Sequence, residues 1–480
     1  MKTKIIIITA ISSLLFTGSL MAQNENEALR YSQMYWGGTA RSTSVGGAFG
    51  AVGADFSSLS INPAGMGVYK KSEISFSPTI YYSKNVNTYR GVESEDFKYN
   101  FNVGNFGIVL AAPLNSVASD KPQWKSVQFG FGMNRLANYN NNIAIEGNNS
   151  ESSIIDAFVS KANGTPSQNL SAFDTQLAWD GYLMNPLDTN NNYVRAFQGD
   201  IVQRKTISTK GGMNEWTFSL SGNYNDVLYL GATIGLVGIN YTEDSQYDEV
   251  DRLDTISNFK SMSIKDHLST DGSGVNFKFG FLAQPVKFLR IGAAIHTPTF
   301  FYRIEDNYTR NFSSNIDTAV YTFDPLESTF KYEINTPLRL LGNIAFLINK
   351  SGFVSLDYEY TDYSTSRMRS SDYNFVDENK TIKDIYKATH NIRGGVEYNL
   401  NPIVLRAGYA YYMSPFKSDT LNTYERNIIS AGIGFRSAQY FIDFTYSNSN
   451  SNGKYYLYEG AVTEQKISSS SFILSMGLKF

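Results

Sequence analysis

The chain offers few side chains that could carry out catalysis. It has 480 residues, no cysteine and only three histidines, which excludes thiolate catalysis and cysteine-ligated metal sites. His267, His296 and His390 are scattered and belong to no nucleophile or metal motif. An acidic run at 243–254 lacks the spacing of a Ca²⁺-binding loop. We therefore expect neither an enzyme nor a protein with a resident metal or cofactor.

Arginines that alternate with apolar residues are the best candidates for ligand binding. They are Arg290, Arg339, Arg393, Arg406 and Arg436. One hypothesis is that one or two of them bind the carboxylate of an amphipathic ligand, because guanidinium and carboxylate groups form paired hydrogen bonds. The alternative is that they pair internally with acidic residues of neighbouring strands, namely Asp357, Glu359, Glu397 and Asp443. The sequence leaves both hypotheses open.

The elements that carry these arginines are strands with a period of two. Near the end of the chain, Phe472, Leu474, Met476, Leu478 and Phe480 are apolar, and the residues between them are mostly small or polar. Such alternation is typical of a strand with one face in lipid and one in a wet interior, although a half-buried soluble strand alternates too. The pattern recurs upstream and predicts about fourteen strands.

Connections between the strands alternate between short turns and long polar loops. The long loops are expected near 140–213, 243–272, 304–328, 366–388, 415–424 and 450–465. This rhythm is expected for the periplasmic turns and extracellular loops of a membrane barrel. The longest loop, 140–213, contains two helix-like stretches, one capped by Ser150 and the other at 171–182. They could form an apolar groove for ligand capture or a lid that buries its own apolar side chains.

Composition and the first residues indicate where the protein works. The net charge of −3 argues against nucleic acid as a partner, and a mean hydropathy of −0.27 argues against a bundle of membrane helices. Residues 1–22 resemble a secretory signal peptide, with Lys2 and Lys4 before an apolar run. We therefore expect an all-β transmembrane antiparallel β-barrel at 72–480, in the outer membrane of a Gram-negative bacterium.

The segment between the signal peptide and the barrel, 23–71, has a different pattern. It is rich in glycine and alanine and has no room for a membrane strand. Asn62-Pro63 favours a turn and Gly65 permits positive φ, which predicts a tight bend. Small residues in a compact run suit a plug inside the lumen. The alternative is an ordinary linker.

Several segments resemble one known family. GTARSTSVGGAFGAVGADFSSLSINPAGM, residues 38–66, resembles the hatch signature of the FadL/TodX family of outer-membrane transporters for hydrophobic compounds, and 290–301, 355–364 and 405–416 resemble its later strands. The resemblance implies a fourteen-stranded barrel plugged by an N-terminal hatch. The positions that match the hatch motif are Gly47, Ala48, Asp55, Asn62, Pro63, Ala64 and Gly65.

The family also implies a function and a route. The resemblance implies passive uptake of hydrophobic or amphipathic small molecules, similar to long-chain fatty acids, with lateral release at an inward kink in the third strand. Gly130 or Gly132 could host that kink or could simply pack against the hatch. Alternatives are a PorV-like interaction protein of type IX secretion and a haemin receptor. Expected partners are outer-membrane lipid and lipopolysaccharide, and the barrel-assembly machinery through Phe480, for a protein expected to be a monomer.

Overall fold

Fourteen antiparallel strands close into a barrel, since the first strand pairs with both the second and the last. The computed structural model describes residues 25–35, 37–114, 123–349, 351–417 and 424–480. The predicted signal peptide, 1–22, lies outside these residues. Among the helices described, none is both long and apolar enough to cross a membrane. The fold class predicted from the alternation is confirmed.

The barrel strands are numbered in chain order, and three of them consist of two segments. Their bounds are β1 Glu73–Tyr89, β2 Val92–Pro113, β3 Trp124–Asn138 and Asn141–Asn149, β4 Ile201–Tyr224, β5 Leu228–Val250, β6 Phe259–Val286, β7 Leu289–His296 and Phe300–Ile316, β8 Leu326–Asn335 and Arg339–Ile348, β9 Gly352–Asp362, β10 Ala388–Asn399, β11 Ile403–Tyr412, β12 Arg426–Arg436, β13 Tyr440–Tyr458 and β14 Ala461–Lys479. Short strands at Ala319–Thr322 and Arg367–Arg369 pair with β7 and β8, and Met184–Pro186 pairs with Tyr193–Arg195.

The barrel wall is apolar outside and polar inside. Ile80, Leu220 and Leu356 point outward and are 50–58% exposed, whereas the inward-facing Thr217 and Thr445 are fully buried. Because the outward face meets hydrocarbon, a charge there would cost about 2–4 kcal/mol. This distribution of apolar and polar residues is the reverse of that in a soluble protein, and it matches the alternation in the sequence.

Strands on one side of the membrane are longer than the sequence predicted. The expected loops at 243–272, 304–328 and 450–465 are mostly strand, because β5–β6, β7–β8 and β13–β14 continue as tall hairpins. The apolar outward residues end at the membrane surface, but backbone pairing continues between polar residues beyond it. The opposite end has short turns, such as Asn225-Asp226 with φ of 57° and 58°, so the tall end is extracellular by the usual rule for bacterial barrels.

The expected loop at 140–213 contains a compact subdomain, which we call the cap (residues 150–200). It holds α4 Ile154–Ala162, a 3₁₀ turn at Ser167–Asn169 and α5 Thr175–Asp180. Ser153, and not Ser150, caps α4, through a reciprocal capping box with Asp156. The helices bury Ile155, Phe158 and Leu177 against the tall hairpins, which is the arrangement of a lid and not of an open groove.

One buried carboxylate attaches the cap to the barrel. Glu249, at the top of β5, accepts hydrogen bonds from Tyr247 (2.7 Å), Gln203 (2.9 Å) and the Ile154 backbone (2.9 Å), and also from the Ser153 hydroxyl. Burial raises the pKa of the Glu249 carboxyl despite these bonds. Glu249 therefore accepts from both Ser153 and Ile154 at the start of α4, next to Ser152, which bonds to Gln203 and Tyr458.

We expect Glu249→Ala to release the cap. Four buried donors would lose their acceptor, at about 1–3 kcal/mol for each group left unsatisfied. Limited proteolysis of the folded barrel should then cleave within 150–200 at least tenfold faster than in the parent protein. Glu243→Ala, on the same strand, is the control. Equal cleavage rates in the parent protein and Glu249→Ala would contradict the proposed attachment.

Residues 25–35 and 37–72 lie inside the barrel, and we call them the hatch. They form α1 Glu25–Ser32, α2 Ala40–Ser44, α3 Ser58–Ile61 and a 3₁₀ helix at Pro63–Val68. α2 contacts β11 to β14, and the 3₁₀ helix contacts β3 to β6. On the extracellular side, α1 packs with α6, Val376–Ile385, in an aromatic-rich cluster that fills part of the lumen. The hatch therefore contacts both sides of the inner wall.

Candidate functional site: the lumen and a break in its wall

The Asn62–Gly65 bend fits into the wall through small residues on the facing strands. Asn62 donates to the backbone oxygens of Gly50 (2.9 Å) and Phe281 (3.2 Å) and accepts from the Ala64 N–H (3.2 Å). Glycines at 231 and 280 face Pro63 and Asn62 at distances that leave no room for a Cβ. Gly65 does not adopt the positive φ that the sequence suggested. Its small size matters instead, because Gly53 packs directly against it.

The other hatch positions predicted from the sequence serve the hatch in different ways. Gly47 has a φ of 75°, a conformation that favours glycine. The Ala48 carbonyl accepts from the Ser355 hydroxyl of β9 at 2.6 Å. Asp55 accepts from Thr39 (2.7 Å) and from Ser57 (2.7 Å), so it organises the hatch internally.

The five predicted arginines of the lumen all have protein partners. Arg436 lies 2.6 Å from Asp443. Arg339 and Arg393 lie 2.8 and 3.0 Å from Glu359. Arg406 bridges Glu397 and Asp443, at 2.7 Å from each. Arg290 donates to Gln284 (3.1 Å) and to the Val52 carbonyl of the hatch. The carboxylate partners of Arg339, Arg393 and Arg406 are those of the internal-pairing hypothesis, whereas Arg290 binds an amide and a backbone carbonyl.

The same network holds the hatch. Arg41 of α2 binds both carboxylate oxygens of Glu397, at 2.9 and 3.0 Å. Asp357 accepts from the backbone N–H groups of Phe49 (3.1 Å) and Gly50 (2.9 Å). Because these groups are largely buried, removing one partner leaves others without a hydrogen bond, which is costly in a low-dielectric interior.

The wall is interrupted between β2 and β3, and we call this feature the β2–β3 break. Pairing of the two strands ends at Asn105 and Asn134, and in the described residues no ladder joins 92–104 of β2 to β3. The second segment of β3 instead lies inside the β1–β2 hairpin, where Asn85 and Asn87 of β1 donate to its backbone. β3 therefore turns into the lumen after Asn138.

Polar side chains span the β2–β3 break. Asn138 donates to Asn100 Oδ1 at 3.3 Å, and Asn102 donates to the same oxygen at 3.0 Å. Gly130 and Gly132 lie just below the break and pack against the hatch: Leu59 and Met66 contact the first, and Phe56 contacts the second. Added side chains at either glycine would collide with the hatch or with β2.

A cavity extends from the hatch to the β2–β3 break. It is open on one side and has an accessible volume of about 160 Å³. Hydroxyl and amide groups form much of its wall. These groups belong to Thr43, Thr79, Asn102, Asn138, Ser447, Ser449, Ser469 and Ser471. Leu136, Ile428 and Ile473 add apolar surface.

Two arginines in this cavity form no ion pair with any described residue. Arg426 stacks over the Tyr35 ring at 3.9 Å, and Arg135 donates to the Gly211 carbonyl at 2.8 Å. The Nε atom of each is buried and has no hydrogen-bond partner among the described residues. The cavity is therefore lined by two guanidinium groups that have no carboxylate partner among the described residues. No set of residues in the described part of the chain has the composition of a metal site.

Comparison with known proteins identifies the family. The model of the outer membrane protein transport protein family (OMPP1/FadL/TodX) matches residues 32–456. The chain belongs to this family. The FadL/TodX resemblance found in the sequence is thereby confirmed, and the family and the barrel fold together indicate an outer-membrane transport protein of a Gram-negative bacterium. No curated protein matches the chain.

Solved structures of FadL/TodX proteins share the fold. A FadL homologue of Pseudomonas aeruginosa has a TM-score of 0.56 at 14% identity, and the toluene transporter TodX of P. putida has 0.54 at 13%. The toluene transporter TbuX of Ralstonia pickettii has 0.52 at 15%. In all three cases the match covers 93% of this chain and 99% of the other. At this identity the likeness establishes the fold alone.

Sequence reasoning missed the residues that line the cavity and the β2–β3 break. Arg135, Asn138 and Asn100 lie on strands whose alternation was recognised, but nothing in the periodicity marks them as special. The available signal was the run of asparagines between 134 and 142, which is unusual in a membrane strand. Arg426 gave no signal at all, because its neighbours in the cavity are distant in the chain.

Proposed function

We propose that the protein takes up amphipathic small molecules, similar to long-chain fatty acids, and releases them sideways through the β2–β3 break. The observation that carries this proposal is the continuity of the cavity with the break, since Asn102 and Asn138 line both. A ligand in the cavity lies beside residues 92–104 of β2, which form no ladder with β3 in the described residues. Lateral exit would place it directly in lipid, without passing the hatch.

The lining of the cavity favours a ligand with a polar head. Toluene, for which the solved relatives TodX and TbuX are named as transporters, has no hydrogen-bonding group to pair with arginine or serine. Pockets for purely apolar ligands are lined mainly by apolar side chains, whereas this wall combines apolar, hydroxyl and guanidinium groups. A ligand with a carboxylate head and a hydrocarbon tail could bind the hydroxyl and guanidinium groups with its head and the apolar side chains with its tail.

Uptake by cells tests the proposal. We expect deletion of the gene to abolish uptake of labelled palmitate, and a plasmid copy to restore it. Labelled toluene, measured in the same strains, tests the apolar alternative. Unchanged palmitate uptake after deletion would overturn the proposed function.

Arg426→Gln and Arg135→Gln test recognition of the head group. A charge-assisted hydrogen bond contributes about 1.5–3 kcal/mol, so each variant should raise the half-saturating palmitate concentration by about 10- to 100-fold. Uptake of hexadecanol, which has no carboxylate, should not change. Arg204→Gln is the control, because Arg204 lies on the extracellular surface in an ion pair with Glu146. Parallel losses for palmitate and hexadecanol would contradict a head-group role.

The C-terminal residue and the outer face of the barrel suit the expected partners. Phe480 is 65% exposed and its N–H donates to the Ser72 carbonyl at 3.0 Å. This exposure keeps its ring available to the barrel-assembly machinery. The continuous outward apolar band suits direct contact with outer-membrane lipid and lipopolysaccharide, and a monomer suffices for the proposed path.

A further inference from the structure

Several hydroxyl groups on the inner face of β12 to β14 are bonded to the backbone of the hatch. Ser430 accepts a hydrogen bond from the Gly46 N–H at 3.1 Å. Thr445 donates to the Ala40 carbonyl at 2.6 Å, and Ser475 accepts from the Ala40 N–H at 2.6 Å. These hydroxyl groups therefore serve to seat α2 against the wall.

Other hydroxyl groups on the same side of the lumen face the large cavity instead. We call five of them the hydroxyl patch: Thr79 of β1, Ser447 and Ser449 of β13, and Ser469 and Ser471 of β14. Ser447 is directly opposite Ser471, and Ser449 is directly opposite Ser469, so the Cβ atoms of each pair lie about 5 Å apart. Because β1 pairs with β14, the patch is one continuous polar surface across three strands.

Three hydroxyl groups that line the cavity have no hydrogen-bond partner among the described residues. They belong to Thr79 and Ser449 of the patch and to Thr43 of α2, and these side chains are only 7–9% exposed. Buried polar groups are normally satisfied by protein, by water or by a ligand. These three hydroxyl groups therefore mark a part of the cavity whose occupant forms hydrogen bonds.

Arg426 borders the hydroxyl patch. Ile428, two residues further along β12, is directly opposite Ser449, so Arg426 and Ser449 are diagonal neighbours with Cβ atoms about 7 Å apart. The Nε atom of Arg426 is buried and has no hydrogen-bond partner among the described residues. A cationic group and a set of hydroxyl groups therefore lie side by side in one cavity.

This arrangement disfavours a bare alkyl carboxylate as the preferred occupant. Its carboxylate could bind Arg426, but its hydrocarbon tail would displace water from the patch and would form no hydrogen bond there. Displacing bound water by a group that cannot replace its hydrogen bonds lowers affinity. A site with buried polar groups also discriminates strongly against ligands that lack the matching groups. A head that carries hydroxyl groups next to its carboxylate avoids both penalties.

We propose that the preferred ligand is an amphiphile whose head is a sugar acid. Its carboxylate binds Arg426, its ring hydroxyl groups bind the hydroxyl patch, and its tail runs past Leu136 towards the β2–β3 break. The inference rests on the proposed function and names the substrate class of the same cavity. Glycolipids with a uronic-acid head and free sugar acids share this head chemistry, and the experiment below separates them.

Binding to the purified protein tests the substrate class. The probes are decyl glucuronide, decyl glucoside, decanoate and free glucuronate, and native mass spectrometry in a polyoxyethylene detergent measures the affinity of each. Relative to decyl glucuronide, the other three lack the carboxylate, the sugar hydroxyl groups and the tail, respectively. We expect decyl glucuronide to bind at least about tenfold more tightly than any of them, since each omission removes a group that the cavity can bind.

Variants locate the binding groups. The double variant Ser449→Ala/Ser469→Ala should lower the affinity for decyl glucuronide by about tenfold, the effect of losing one or two neutral hydrogen bonds, and leave that for decanoate unchanged. Arg426→Gln should weaken decyl glucuronide and leave decyl glucoside unchanged. Ser468→Ala/Ser470→Ala is the matched control, because these serines alternate with Ser469 and face outward on β14. It should bind every probe as the parent protein does.

The outcomes separate this proposal from the proposed function. Decanoate that binds as tightly as decyl glucuronide would overturn the sugar-acid head and leave palmitate uptake intact. Decyl glucoside that binds as tightly would overturn the role of the carboxylate, and free glucuronate that binds as tightly would overturn the need for a tail. Equal affinities in the patch variant and its control would contradict binding at the patch. Cells that take up no palmitate would overturn the proposed function, whichever probe binds.

Discussion

Cross-linking β2 to β3 across the β2–β3 break should stop uptake. In an Asn100→Cys/Asn138→Cys protein, a short thiol-specific cross-linker with a cleavable disulfide would replace the weak contact between these side chains, now 3.3 Å apart, with a covalent one. If ligand leaves through this break, we expect palmitate uptake to fall by more than tenfold and to recover fully when a reductant cleaves the linker. Recovery in the same sample shows that folding was not affected.

A second cysteine pair serves as the control for this experiment. Asn448 and Ser470 face each other on β13 and β14, where pairing is continuous, and their side chains lie 3.1 Å apart. Cross-linking Asn448→Cys to Ser470→Cys should leave uptake unchanged, because those strands do not separate. Full uptake by the cross-linked Asn100/Asn138 protein would show that ligand leaves by another route.

Removal of the Arg41 side chain should make the barrel leak. Arg41 holds α2 to the wall through two hydrogen bonds to Glu397 and lies over the Phe353 ring at 5.8 Å. Loss of this partly buried bidentate pair should weaken the attachment of the hatch by about 2 kcal/mol. That amount raises the population of a displaced hatch by about 30-fold.

Conductance in planar bilayers measures this change. We expect Arg41→Ala to show frequent ion-conducting openings that the parent protein rarely shows, and cells carrying it to become sensitive to large antibiotics. Arg41→Lys retains the charge but not the paired geometry, so it should be intermediate. Arg252→Ala, which removes an exposed ion pair with Glu146, should behave as the parent protein. A closed Arg41→Ala channel would mean that the remaining contacts suffice to hold the hatch.

The fold was largely predictable from local pattern. Alternation between lipid-facing and lumen-facing residues is repeated in every strand, so it could be read without any knowledge of neighbours, and it gave the strand number and the outward face. The same criterion failed above the membrane. There the outward residues become polar, as in 263–271 of β6, although backbone pairing continues. The prediction therefore ended these strands too early.

The candidate site was less predictable. The Asn-Pro-Ala bend could be recognised because its residues are adjacent in the chain and matched a known motif. Asn100 and Asn138, by contrast, meet only because β3 leaves its ladder with β2. The alternation of apolar and polar residues does not indicate where β3 leaves that ladder.

The properties of this protein therefore fall into two groups, those set by local residue types and those set by tertiary packing. Strand number, membrane topology, the plug segment and the family follow from residue types at short spacing, because lipid and water select for them position by position. The pairing of the lumen arginines, the two arginines left in the cavity and the break in the wall follow from register and packing between distant residues. Whether an inward arginine meets a carboxylate or an open cavity depends on which strand and which part of the hatch lie opposite it, and only the closed barrel sets that.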